Sequence, residues 1–273
     1  MTSPAAVQAF FDAKRRALAT RALMGYPAVD DDERAGVEVW ARLLHVLASP
    51  LLIRHPFMPL TLELAPLLGP RIAYLISVGD YELGDLELLE RHVAPGDRVL
   101  EIGGGAGLTA ALSALRSEQP VVVVEPDTRL FPLIRRQVEL NGGVVELVHA
   151  AVLGEPTSAT LDFYLDEEIW LSSMLAQVPV RGERARTRVE VPALALGEVL
   201  LRHRPSVLMV DIEGAELELF GPPLPHQPER ILVEIHTPIL GETAAAGVVQ
   251  RLIDHGYRFV DQRDWTYVFA RAS

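Results

Sequence analysis

The chain has 273 residues, 49% of them hydrophobic and 23% charged, with a formal net charge of −12. That size and balance suit one large α/β domain plus an extra segment, and exclude a disordered chain. The lack of cysteine excludes disulfides, thiolate metal sites and cysteine nucleophiles, and the acidic total disfavours a nucleic-acid partner.

The start, MTSPAAVQAFFDAKRRALAT, puts Asp12 and a basic cluster where the apolar core of a secretory signal would run. No stretch reaches the roughly 18 uncharged apolar residues that a membrane helix needs. The expectation is a soluble, cytoplasmic protein with no membrane partner. Residues 4–24 and 32–48 are predicted helices. In the second, Val37, Trp40, Leu43, Leu44 and Leu47 share one face, and the acids at 30–33 suit its N-terminus. Pro50, Pro56, Pro59, Pro66 and Pro70 then interrupt the chain. Residues 1–75 are read as a helical cap, serving as a lid, a dimerisation surface or both, ahead of a main domain at 76–273.

From residue 85 strand and helix patterns alternate. A short helix over 85–93 and a Pro95-Gly96-Asp97 turn lead to the strand RVLEI at 98–102 and a glycine-rich loop. A helix is predicted over 106–117, a doubly covered apolar strand (VVVVE) over 121–125, a helix over 128–140 and a strand over 144–149. Residues 155–190 are irregular, with a hairpin or a loop over the site. The rest reads as a helix at 193–203, a strand at 206–212, a short helix at 214–220, a strand at 230–236 and a helix at 242–255. A final antiparallel pair is joined through residues 261–264. This alternation predicts a mostly parallel sheet with right-handed crossovers and a ligand site beyond the strand C-termini.

The strongest motif is Glu101-Ile102-Gly103-Gly104-Gly105-Ala106-Gly107, between a strand and a helix. A nicotinamide loop reads G-x-G-x-x-G. Started at Gly103 or Gly105, that pattern meets Leu108 or Ala110 where glycine is required. The acid Glu101 sits awkwardly beside a pyrophosphate but suits a cationic amino-acid moiety, which favours S-adenosylmethionine over a dinucleotide. Glu125 ends the next strand, placed to hydrogen-bond ribose hydroxyls.

These blocks resemble the FkbM family of methyltransferases from about Val78 to Phe220 and on into Glu234. GDYE at 79–82 is similar to the family's opening segment, PGD with EIGGGAG to its first cofactor motif, and Glu125-Pro126-Asp127 to its ribose-binding turn. Asn141 and Ala150-Ala151-Val152 fall where later blocks lie, Trp170 with Ser172-Ser173-Met174 is similar to the irregular loop, VDIEGAELELF at 210–220 is the most distinctive block, and VEIH at 233–236 closes the series. Where the family's first motif usually reads Asp-x-Gly-Ala-Asn-x-Gly, this chain has Glu101 and a Gly104-Gly105 pair. The resemblance implies a Rossmann-like class I methyltransferase fold: a mostly parallel seven-stranded sheet with an antiparallel terminal strand, here behind the N-terminal cap. It implies S-adenosyl-L-methionine as cofactor and O-methylation in natural-product or glycan biosynthesis. It carries Tyr81, Glu101, Gly103, Gly104, Gly105, Gly107, Glu125, Pro126, Ala150 and Asp211 over as cofactor-binding positions.

Methyl transfer to a hydroxyl needs an aligned acceptor and removal of its proton. Asp211 and Glu213 follow SVLMV, and Glu234 and His236, two apart, end RILVEIH on one side of the strand. Asp211 and Glu234 interrupt apolar strands, where an unpaired carboxylate is costly. These groups predict a general base, with His236 preferred, or a divalent cation site (Mg²⁺) formed by Asp211, Glu234 and His236. Trp170, Ser172, Ser173 and Glu213 are assigned to the acceptor. Glu216 and Glu218 are expected to face solvent. Arg181, Arg184, Arg186 and Arg188 form either a solvated loop or a gate for an anionic acceptor. The leading expectation is O-methylation of a small hydroxylated metabolite. The alternatives are a nitrogen or carbon acceptor, or a binding protein without turnover.

Overall fold

A computed structural model describes residues 31–46, 50–166, 169, 172–174 and 186–272. The predicted helix at 4–24, Trp170, Arg181 and Arg184 lie outside the described residues. Packing divides the chain into two compact units, Met1–Leu83 and Gly84–Ser273.

In the first unit, α1 (Asp31–Val46) packs on α2 (Gly69–Val78). Gly36 makes this approach close, since a Cβ there would lie 2.2 Å from the Tyr74 ring. Trp40 is buried, and its indole N–H donates to Ser77 Oγ at 3.1 Å. The proline-rich stretch is more ordered than predicted, and the unit is not purely helical. β1 (Leu51–Arg54) and β2 (Thr61–Leu64) form an antiparallel hairpin. Pro56 and Pro59 fall in its turn, where His55 Nδ1 accepts the N–H groups of Phe57 and Met58 at 3.2 and 3.0 Å. Pro70 sits in the first turn of α2, where a missing N–H costs nothing.

In the second unit α3 (Leu83–His92) precedes an alternating series: β3 (Val99–Ile102), α4 (Leu108–Ser117), β4 (Val121–Glu125), α5 (Phe131–Leu140) and β5 (Val145–His149). After β6 (Ala151–Leu153), β7 (Thr160–Leu165) and β8 (Thr187–Ala195) come α6 (Leu196–His203), β9 (Val207–Val210), α7 (Glu216–Leu219) and β10 (Arg230–Glu234). The unit closes with α8 (Thr237–Leu240), α9 (Glu242–Asp254), β11 (Tyr257–Arg263) and β12 (Thr266–Arg271). Among the described residues seven strands make one sheet in the order β11-β12-β10-β9-β3-β4-β5. β5, β4, β3, β9 and β10 run parallel, and β12 is antiparallel to both its neighbours. The chain winds outward from β3 through β4 to β5, then returns to β9 on the other side. The topological switch therefore falls between β3 and β9, the place where such sheets open a ligand crevice.

β3, β9 and most of β4 and β10 are buried, as expected of strands covered on both faces. At the opposite end from the crevice, Asp97 ties three strands together. It accepts the Ala94 N–H, the Ser206 hydroxyl and the Arg230 guanidinium at 2.8, 2.7 and 2.8 Å.

Two sequence expectations are corrected here. Ala193–Ala195 is not helical but extends β8, paired in parallel with Ala151–Leu153 of β6. The strand partner overrides the helix propensity of Ala-Leu-Ala. The last hairpin is tighter than predicted, because β11 runs on to Arg263 with an irregularity between Phe259 and Asp261. No helix among the described residues is long and apolar enough to cross a membrane.

Candidate active site

The loop after β3 is shaped by its glycines, and the protein's own packing demands them. Gly103 has φ 91°, and a Cβ on it would lie 1.7 Å from the carbonyl oxygen of Asp211. On Gly104 it would strike Val123 and Ile134 at 2.6 and 2.8 Å, and on Gly107 the Ile134 backbone at 2.8 Å. The close approach of Gly103 presses the loop against the end of β9, so the two motifs share one crevice.

Two acids line this loop. Glu101 is 1% exposed, and Oε1 accepts the Thr109 hydroxyl at 2.6 Å while Oε2 is sealed from water with no hydrogen-bond partner. Burial pushes its pKa to about 8, against the Thr109 bond and with help from the charges of Asp211, Glu125 and Asp85. Such an oxygen fits an ammonium donor. Glu125 is also buried; its oxygens accept the N–H groups of Gly104 and Asp127 at 2.8 and 2.7 Å. Burial raises its pKa to about 7 against these bonds. A carboxylate has about four lone-pair directions, so Glu125 can brace the loop and still accept a ribose hydroxyl. Ala150 is buried beyond β5.

At the ends of the adjacent parallel strands β9 and β10 a second group converges on His236. Nδ1–H donates to Glu216 Oε1 at 2.6 Å. Nε2 faces Glu213 Oε2 at 3.3 Å, Asp211 Oδ1 at 3.6 Å and Glu234 Oε1 at 3.8 Å. Burial alone would lower the His236 pKa, but Glu216 and the charges of Asp211, Glu213 and Glu234 raise it to about 10. Burial raises Glu234 to about 9, with the charges of Asp211 and Asp85 adding to it. Asp211 is likewise raised, chiefly by burial, and its Oδ1 has no hydrogen-bond partner. These groups titrate as a unit. Asp211, Glu234 and His236 each offer a ligand atom within 4.8 Å of the others, a donor set able to hold a divalent cation. Glu213 is held at φ 55°, a strained conformation for a non-glycine residue.

Two residues of this site escape a sequence reading. Glu216, expected in solvent, is 0% exposed, because the four-residue α7 turns its first side chain inward onto His236. A Glu-Leu-Glu-Leu helix offers alternating acids, and only the packing shows which one is buried. Asp85 of α3 is also buried, with Thr266 donating to it at 2.5 Å. Its pKa is raised to about 7 by burial, despite that bond, with the charge of Asp211 contributing. No motif marks it.

Tyr81 and Glu82 belong to the first unit, in the turn before α3. Ser172 Oγ accepts the Asp166 N–H at 3.0 Å, and Ser173 is buried and bridges Tyr164 through its backbone. Arg186 and Arg188 pair with Asp166 and Asp162 at 3.2 and 2.7 Å.

A switch-point crevice, a glycine loop after the first strand, an acid after the second and an antiparallel strand inserted before the sheet's edge together define a class I, S-adenosylmethionine-dependent methyltransferase domain. Residues 101–259 match the methyltransferase FkbM domain, and the chain belongs to that family. Among curated relatives, ribosomal RNA small subunit methyltransferase A of Geobacter metallireducens is 38% identical over 81 residues, covering 26% of this chain and 29% of that protein. Ribosomal RNA small subunit methyltransferase G of Mycobacterium leprae is 30% identical over 142 residues, covering 50% of this chain and 51% of that protein. The match thus spans 29% and 51% of these relatives' length. Similar solved structures include a methyltransferase from Pyrococcus furiosus, with 15% identity and a TM-score of 0.41 over 89% of this chain and 100% of that one. Another is Aeropyrum pernix fibrillarin with natively bound S-adenosyl-L-methionine, with 13% identity and a TM-score of 0.38 over 65% and 67%.

Proposed function

We propose that the protein methylates a hydroxyl of a small natural-product or sugar-like acceptor, with S-adenosyl-L-methionine as donor. When bound, the donor supplies a sulfonium-activated methyl group. The chain's residues bind it, align the acceptor and handle a proton. Glu101 pairs with the cofactor's ammonium and Glu125 with its ribose, beside Gly103, Gly104, Gly105 and Gly107. Pro126 and Ala150 complete the cofactor side, and Trp170, Ser172, Ser173 and Glu213 the acceptor side.

One observation carries the preference for oxygen: the cluster of Asp211, Glu213, Glu234 and His236 abuts the glycine loop through the Gly103–Asp211 approach. A neutral amine offers its lone pair unaided, whereas a hydroxyl must lose or share its proton. The Glu216 bond and the acids around His236, the base preferred from sequence, raise its pKa to about 10 and so favour its charged form. The base is therefore Asp211, whose Oδ1 has no hydrogen-bond partner and whose basicity burial increases. A divalent cation such as Mg²⁺ held by Asp211, Glu234 and His236 would do the same work by polarising the hydroxyl.

Calorimetric titration with S-adenosylhomocysteine, with and without Mg²⁺ and with NAD as control, tests the cofactor. Transfer of labelled methyl to panels of hydroxylated metabolites, amines and ribosomal RNA tests the acceptor. Micromolar thioether binding and label on hydroxylated metabolites are expected. D211N and E234Q should each lose about 100-fold or more in turnover while still binding S-adenosylhomocysteine. Label on amines or RNA alone overturns the acceptor assignment, and absence of thioether binding overturns the cofactor assignment.

A further inference from the structure

We propose that Glu216 is the positioning residue of this site, fixing the His236 ring so that Nε2 alone is presented to Asp211, Glu213 and Glu234. The proposal deepens the methyl-transfer reading and rests on it for the use made of Nε2, but not for the geometry.

Glu216 is 0% exposed, and Oε1 lies 2.6 Å from His236 Nδ1. At that distance the ring nitrogen and the carboxyl oxygen share one hydrogen bond, with Nδ1–H donating. The same oxygen accepts the Gly214 N–H at 3.0 Å. Gly214 follows Glu213, whose backbone is held at φ 55° and whose carboxylate is the group nearest Nε2, at 3.3 Å. One buried carboxylate thus fixes two things, the orientation of the His236 ring and the turn that aims Glu213 at it. Burying an acid costs several kcal/mol unless it is paired and hydrogen-bonded. A purely structural brace for Gly214 would be served by an uncharged amide. The second bond of the same oxygen, at 2.6 Å, goes to the imidazole. Carboxylate–histidine pairs that lock one ring nitrogen so that the other can meet a metal or a proton work on this physical basis.

The test uses the full chain labelled with ¹⁵N-histidine, with the His236 resonances identified among eight histidines by their loss in H236Q. In the unaltered protein a slowly exchanging Nδ1 proton on His236 is expected. E216L should abolish it, and E216Q, which keeps an acceptor oxygen, should restore it. Mn²⁺ titration is the second arm. Affinity should fall about 10–100-fold in E216L and recover partly in E216Q, with S-adenosylhomocysteine affinity unchanged in both. A His236 ring signal identical in E216L and the unaltered protein overturns the proposal. So does the lack of a protected Nδ1 proton in the unaltered protein, which is decisive even if E216L does not fold. Failure of the unaltered protein to bind Mn²⁺ removes the cation from the function proposed above but leaves the ring-proton result to decide Glu216. Failure to bind S-adenosylhomocysteine removes the methyl-transfer reading and again leaves that result standing.

Discussion

Glu101 shows how one residue can burden the fold while suiting a ligand. Its carboxyl is raised from the ordinary 4.5 to about 8, so the folded state favours the neutral form. The sign follows from linkage: the stability it contributes is complete below its unfolded pKa and is lost as pH rises through 8. Glu101→Gln cannot ionise and escapes that loss. We expect E101Q to melt about 2–4 °C above the unaltered protein at pH 9 and level with it at pH 5, followed by scanning calorimetry. The same substitution should weaken S-adenosylhomocysteine binding about 10-fold or more, since a charge-assisted bond to the ammonium is lost. A variant that melts lower at pH 9 would show that the carboxylate is already paired in the free protein. Both Glu101 and Glu125 were legible from spacing alone, because a strand–glycine-loop–helix unit leaves few places for an acid. Glu216 and Asp85 were not, because their roles depend on what folds against them.

Elements are held at one end of the sheet so that the other can be spent on chemistry. Asp97, just before β3, joins Ser206 ahead of β9 and Arg230 at the start of β10. Asp97→Ala leaves the Arg230 guanidinium, 24% exposed, without this partner. The expected cost is about 2–4 kcal/mol, read as a lower urea midpoint at unchanged slope. S-adenosylhomocysteine affinity should be unaltered, because the tie lies at the far end of the strands from the glycine loop. An affinity loss matching the stability loss would show that the two ends are coupled. Element identity itself was mostly legible: short, β-branched apolar runs between turn signals, such as VVVVE and SVLMV, read as strands buried on both faces. Ala193–Ala195 was misjudged because nothing local distinguishes a helix start from a strand whose partner, Ala151–Leu153, is 42 residues away in the chain.

The whole molecule concentrates acids of raised pKa around one crevice. Asp85, Glu101, Glu125 and Glu234 are raised to about 7, 8, 7 and 9, and His236 to about 10. A raised carboxyl favours its neutral form and a raised imidazole its charged form; each therefore loses stability as pH rises through its folded pKa. All five act in the same direction. The ligand-free protein should melt highest near pH 6 and progressively lower towards pH 10, measured as melting temperature across buffers of constant ionic strength. A cationic ligand beside the acids reverses the penalty, so stabilisation by S-adenosylmethionine should grow over the same interval. A melting temperature that rises from pH 6 to 9 would show that the acids are ionised at little cost.

By itself the sequence determined the fold class, the order of the main strands, the glycine loop with its two acids, and the set of Asp211, Glu234 and His236 at the strand ends. Each of these follows from local pattern: period, turn chemistry, and the expense of an acid in an apolar strand. Only the tertiary structure decided which acid faces His236, that the acids around the ring raise its pKa, that the loop glycines answer to the backbone of Asp211 and the side of α5, and that Arg186 and Arg188 are already paired. The reason is physical. Burial and Coulomb energy depend on distance in space, and elements far apart in the chain set those distances when they meet at the switch between β3 and β9.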